Sequence, residues 1–142
     1  MADIKQGPWG GPKGNSFDTG ILAKLLGFKV WHDDDYINGI RFFYEKQTQQ
    51  IWTPVYGSQV GQVVEVTLGA DELFTGIQGT LDWKGGKYVV RSLLLFTNTS
   101  QYGPYGKEQG STFLLKSTGN IVGFFGLEDG QAINAIGIYT EV

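Results

Sequence analysis

The chain has 142 residues, a net charge of −3, 22 glycines, 4 prolines, one histidine and no cysteine. Without cysteine there are no disulfides, thiol nucleophiles or zinc–thiolate sites, and a lone His32 cannot build a multi-histidine metal centre or more than one catalytic triad. The acidic balance and the lack of a basic block argue against nucleic acid or an anionic membrane as partner, and the density of Gly and Pro is hostile to long helices.

Along the chain, the first residues carry no apolar run of secretory-signal length, and no segment approaches the roughly eighteen apolar residues of a membrane helix. The expectation is a single domain over residues 1–142, cytoplasmic and without membrane insertion. Ile21 to Leu26, between Gly20 and Gly27, is the one helix candidate, and it is short. Gly39 to Glu45 alternates, with Ile40, Phe42 and Tyr44 on one face, and Val63 to Leu68 places Val64, Val66 and Leu68 together. Tyr88 to Phe96, Thr112 to Leu115, Ile121 to Phe125 and Ile133 to Tyr139 are further strand signals. Short alternating runs between Gly-rich turns predict an all-β protein.

Internal repetition refines that prediction. GPWGGPKGNSFD at 7–18 and GPYGKEQGSTFL at 103–114 share glycines at 7/103, 10/106 and 14/110, all 96 positions apart. Ile37-Asn38-Gly39-Ile40 and Ile133-Asn134-Ala135-Ile136 show the same offset of 96. Val90-Arg91-Ser92-Leu93 and Tyr56-Gly57-Ser58-Gln59-Val60-Gly61 read as the middle copies of the two patterns. Three modules of about 48 residues follow, each with one Gly-rich loop and one strand-entry loop, and none large enough to bury a core alone. Packed around a common axis they make a three-sided antiparallel prism with pseudo-threefold symmetry.

At GPWGGPKGNSFD, at VVRSLLLFTN followed by YGPYGKEQGSTF, and at the closing IVGFFG…AIGIYTE, the chain resembles the jacalin-related lectins. The unbroken lead Ile4-Lys5-Gln6-Gly7 is similar to their mannose/glucose-binding branch. The resemblance implies a β-prism of three four-stranded Greek-key sheets that binds mannose- or glucose-containing glycans without metal, cofactor or catalysis. It implies a site made from a GG loop, here Gly10-Gly11, and a G-x-x-x-D loop, here Gly130-Gln131-Ala132-Ile133-Asn134. In that reading the N–H groups of Gly11, Gln131 and Ala132 hold the sugar, and the terminal acid accepts from its hydroxyls. Asn134 stands where the family has Asp, so neutral hydrogen bonds replace charged ones at a cost of about 1–2 kcal/mol. Asn134→Asp is then expected to tighten binding by about tenfold. Gly11, Gln131, Ala132 and Asn134 are expected to line one shallow pocket.

Flanking this site, Trp83 and Tyr88 either stack on a sugar face or simply form a Gly85-Gly86 hairpin tip. Asp33-Asp34-Asp35 reads as a solvated turn rather than a cation site, because adjacent carboxylates in an extended chain point to opposite sides. By the repeat, Asp34 to Asn38 with Gly57-Ser58 is the counterpart of the sugar site in another module. Asn98-Thr99-Ser100 matches the N-glycosylation pattern. No nucleophile–base pair stands out, so an enzyme is not expected. The alternative to a sugar-binding module is a lectin-fold interaction module whose sugar site has weakened, and a homo-oligomer is left open.

Overall fold

Short apolar alternations broken by turn residues fold back on one another. The computed structural model, which describes residues 4–116 and 119–141, contains no helix among them. In chain order the strands are β1 (Ile4–Gly10), β2 (Asn15–Asp18), β3 (Lys24–His32), β4 (Ile37–Lys46), β5 (Gln49–Trp52), β6 (Tyr56–Gly57) and β7 (Gln62–Thr67). There follow β8 (Phe74–Lys84), β9 (Lys87–Thr97), β10 (Gln101–Gly106), β11 (Ser111–Lys116), β12 (Ile121–Glu128) and β13 (Ile133–Thr140).

The helix candidate is overturned. Lys24, Leu25 and Leu26 open or continue β3, which pairs antiparallel with β4 and β7. Six residues cannot sustain a helical nucleus, whereas the following Phe28 and Val30 suit a strand with one face in the core, and Trp31 is buried on the other face.

Three antiparallel sheets result, ordered β5-β4-β3-β7, β10-β9-β8-β11 and β1-β13-β12-β2, with β6 also paired to β4. In the first, β5 and β6 lie end to end along β4, so they divide the fourth edge between them. Thr53 bridges that break, its N–H donating to the Phe42 carbonyl at 2.8 Å and its Oγ1 accepting the Phe42 N–H at 3.0 Å. Three successive strands plus a fourth returning beside the first is a Greek key. The third sheet has this order only if the chain is read through its termini, β12-β13-β1-β2, so both ends of the chain build one module. The repeat units are therefore not three consecutive stretches.

The prism axis is filled by side chains from all three sheets. Phe42 and Phe124 stack at 4.1 Å between centroids, and Phe74 meets Phe124 edge-on at 6.2 Å. Nearer the loop end, Ile37, Ile40, Leu93, Ile133 and Ile136 continue the core. Burial of these groups holds the modules together.

At the opposite end, Glu72 gathers the loop before β8 against β9 and β10. Tyr102 Oη and Thr97 Oγ1 donate to its Oε2 at 2.6 and 2.7 Å, and the Gly69 N–H donates to Oε1 at 3.0 Å. The Tyr102 bond first, then those of Thr97 and Gly69, lower its carboxyl to about 2. A depressed acid stabilises the fold above its unfolded value and loses that contribution as pH falls toward the folded one. Acid unfolding between about pH 4.5 and 2 is thus expected to be shallower in Glu72→Gln than in the parent chain, with denaturant midpoints across that range as the measurement. Beside it, the Asn98 amide is committed on both sides, accepting from the Leu73 N–H and donating to the Asp71 carbonyl, each at 3.0 Å. Its sequon-like setting is a structural turn.

Candidate functional site

Each module presents two loops at one end of the prism, and the backbone joins them in the same way three times. The N–H groups of Gly11, Ser58 and Lys107 donate to the carbonyls of Asn134, Asn38 and Arg91 at 3.0, 2.8 and 3.3 Å. Gly14, Gly61 and Gly110 match too, with φ of +111°, +100° and +108° and a carbonyl at each so close that a Cβ would collide with it. The two sequence patterns and their middle copies are therefore the two loops of each module.

The three equivalent positions carry different chemistry. Arg91 fills its own module's site, with Nη1 on Asp82 Oδ2 at 2.6 Å and Nη2 on Asp35 Oδ1 at 3.1 Å. Asn38, itself buried, borders an open pocket of about 290 Å³ lined by Asp33, Ser58, Val60 and Lys84 and by Gly130 and Gln131 of the other loop. Asn134 is fully buried.

What surrounds Asn134 is the carboxylate of Asp129. Its Oδ1 accepts the N–H groups of Gln131 and Ala132 at 2.9 and 3.0 Å, and its Oδ2 accepts Asn134 Nδ2 at 3.3 Å and Lys87 Nζ at 2.5 Å. Burial by itself would raise this carboxyl, but Lys87, the two amides and Asn134 together hold it below the ordinary carboxylate range. Asp33 plays the same part in the other loop, accepting from the Asp35 and Tyr36 N–H groups, each at 2.8 Å, and from Asn38 Nδ2 at 3.2 Å. Burial again opposes and these bonds lower the Asp33 carboxyl. The three adjacent aspartates thus part company: Asp33 caps the turn, Asp34 is exposed and Asp35 pairs with Arg91. Among the described residues no group of His, Cys, Asp or Glu is arranged to hold a metal.

Of the loop residues singled out from the sequence, Gly11 and Asn134 touch through their backbones, and Gly11, Ala132 and Asn134 are buried while Gly130 and Gln131 are exposed. Gly10 is the close-approach glycine, since a Cβ there would lie 2.1 Å from the Asn134 carbonyl oxygen. The accessible tip of that loop is Lys13 and Gly14. A separate pocket of about 220 Å³ is lined by Gly11, Pro12, Lys13, Trp83, Gly86 and Tyr88. Trp83 is 63% exposed above it, its ring 5.1 Å from that of Tyr88, and Tyr36 Oη donates to its carbonyl at 2.7 Å. Asp129 was legible in principle, because it stands 96 positions after Asp33 in the repeat. Lys87 was not, because it enters from a different sheet.

A prism of three Greek-key sheets with paired loops at one end is the architecture of a known class of lectins. The family model of the Jacalin-like lectin domain matches residues 6–139, and the chain belongs to that family. Its members are sugar-binding proteins, not enzymes. The chain is 32% identical over 148 residues to the jacalin-related lectin Calsepa of Calystegia sepium, covering 98% of this chain and 95% of that protein. It is 31% identical over 142 residues to an agglutinin of Castanea crenata, where it covers 95% of this chain but spans 46% of the relative's length. Among solved structures, wild-type Malaysian banana lectin superposes with a TM-score of 0.91 at 28% identity, covering 99% of each chain. A mannose-specific jacalin-related lectin from Morus nigra, solved in complex with mannose, gives 0.88 at 32% identity, covering 100% of this chain and 96% of that one.

Proposed function

We propose that this chain binds mannose- or glucose-type glycans reversibly, without metal, at the loop end of the prism. The observation that carries the reading is the convergence of the first Gly-rich loop on the 129–134 loop, fixed by the Gly11–Asn134 hydrogen bond and flanked by Trp83 and Tyr88. Lys13 and Gly14 offer exposed backbone on one side, Gly130 and Gln131 on the other, and Trp83 supplies a rigid apolar face for a ring. The Asn38 pocket offers the same loop pair in an open state and is proposed as a second sugar position.

Titration of the ¹⁵N-labelled protein with methyl α-mannoside is expected to shift amides of residues 13–14 and 130–132, with methyl β-galactoside giving much smaller shifts. Exhaustive EDTA treatment is expected to leave the mannoside affinity unchanged; an EDTA-sensitive loss restored by calcium would sink the metal-free reading. A second reading, a lectin-fold interaction module, is favoured by the self-occupied Asp129 and Arg91 sites. Its signature would be the absence of any sugar-dependent shift at both loop pairs.

A further inference from the structure

The Asn134 side chain has an unusual account of its hydrogen bonds. Its Nδ2 faces the Asp129 carboxylate, and reversing the amide would set oxygen against oxygen, so the orientation is dictated by charge. That leaves Oδ1 buried with no partner among the described residues. Buried acceptors are paired in nearly all native structures, so a lone one marks a place where something else completes the set.

The carboxylate against Asn134 Nδ2 is that of Asp129, which Lys87 holds in an ion pair. Lys87 follows the Gly85-Gly86 turn of the β8–β9 hairpin, which lies between the two strand-entry loops. Lys84, its register partner across the hairpin, goes the other way, with Nζ 4.9 Å from the Tyr36 ring centre. It makes no ion pair with Asp33 in the way that Lys87 does with Asp129. Both asparagines are buried, and the pocket at Asp33 and Asn38 is lined by Gly130 and Gln131 as well, so what separates the two loops among the described residues is the ion pair that Asp129 makes and Asp33 does not. The protein supplies its own control.

We propose that Lys87 and Asp129 form a clamp over the 129–134 sugar loop, so that a sugar enters this site in competition with an internal ion pair and Lys87 sets its affinity. The clamp rests on the function proposed above. Lys87 pins Asp129 in place, and once a sugar displaces that carboxylate the Gln131 and Ala132 amides that its Oδ1 accepts become available to hydroxyls. The pair is accessible for this exchange, its side chains retaining 31% and 17% of their exposure.

The test is a methyl α-mannoside titration of the ¹⁵N-labelled parent chain and Lys87→Met, read separately at amides 130–132 and at amides 35–37. Lys87→Met is expected to tighten the response at 130–132 by about fivefold, the scale of one partly exposed ion pair, and to leave the response at 35–37 unchanged. In the parent chain, raising sodium chloride is expected to move the 130–132 midpoint in the same direction, and in Lys87→Met not to move it. The salt comparison needs no substitution, so it stands even if the variant folds poorly. Equal midpoints at 130–132 in both proteins and at both salt levels would overturn the clamp while leaving sugar binding intact. No shift at either loop pair in either protein would overturn both the clamp and the proposed function.

Discussion

Asn134→Asp is expected to destabilise the protein by about 3 kcal/mol at neutral pH, the scale of an uncompensated buried charge. The tenfold gain that the family resemblance implies for this substitution concerns sugar affinity, not stability. The stability loss is a separate quantity and follows because Asn134 is fully buried and its Nδ2 donates to Asp129 Oδ2 at 3.3 Å. A carboxylate there would face a second carboxylate, with Lys87 the one cation on the pair. Burial and like charge both raise the folded pKa of the introduced carboxyl. A raised acid binds more protons when folded, so the deficit is present above the folded value and fades as pH falls below the unfolded value near ~4. Thermal melts should therefore show a large loss relative to the parent chain at pH 7 and little at low pH. Adding Asp129→Ser should recover most of the loss, since a serine still caps the turn and one acid remains. A melting temperature for Asn134→Asp at pH 7 equal to the parent's would show that the pair is not in contact.

Gly11→Val is expected to lower mannoside affinity at amides 130–132 by more than tenfold and stability by about 1–3 kcal/mol. The reason is space rather than backbone conformation. Gly11 does not lie in the left-handed region, but a Cβ on it would sit 2.2 Å from the Tyr88 carbonyl oxygen and 3.1 Å from Tyr88 Cβ. Main chain lies on both sides of that contact, so neither can yield as a flexible side chain would. The loop must lift from β9, and the Gly11 bond to the Asn134 carbonyl goes with it. Gly130→Ala is the contrasting case: φ is +82° there, yet nothing lies within 4 Å of the added carbon. Its cost should be confined to about 1 kcal/mol of backbone strain. Paired melts and titrations of the two variants separate a steric loss from a conformational one; equal effects in both would remove the steric argument.

The architecture was legible because it rests on local chemistry repeated in register. The pair of patterns 96 positions apart needed only glycine's tolerance of positive φ and close backbone approach at 10, 14, 106 and 110. Alternation in Gly39–Glu45 placed Ile40 and Phe42 inward because period two is a property of the strand itself. Where alternation was masked, the sequence misled. Ile21 to Leu26 read as a helix candidate because the strand partners of its second half, β4 and β7, are supplied from elsewhere in the chain.

The sequence by itself determined the three-module prism, the family and the two loops of each module. These follow from turn residues and apolar spacing that act over a few positions. Which side chains occupy those loops was decided by tertiary structure. Closure through the chain termini brings Gly11 to Asn134, and the β8–β9 hairpin delivers Lys87 to an aspartate 42 residues away. Arg91 likewise fills its site by reaching Asp35, 56 residues distant. Charge pairing across modules depends on how the sheets are set about the axis, and no local pattern records that placement. The equivalent position therefore holds an asparagine beside an open pocket at Asn38, an asparagine against the Lys87–Asp129 pair at Asn134 and an ion-paired arginine at Arg91.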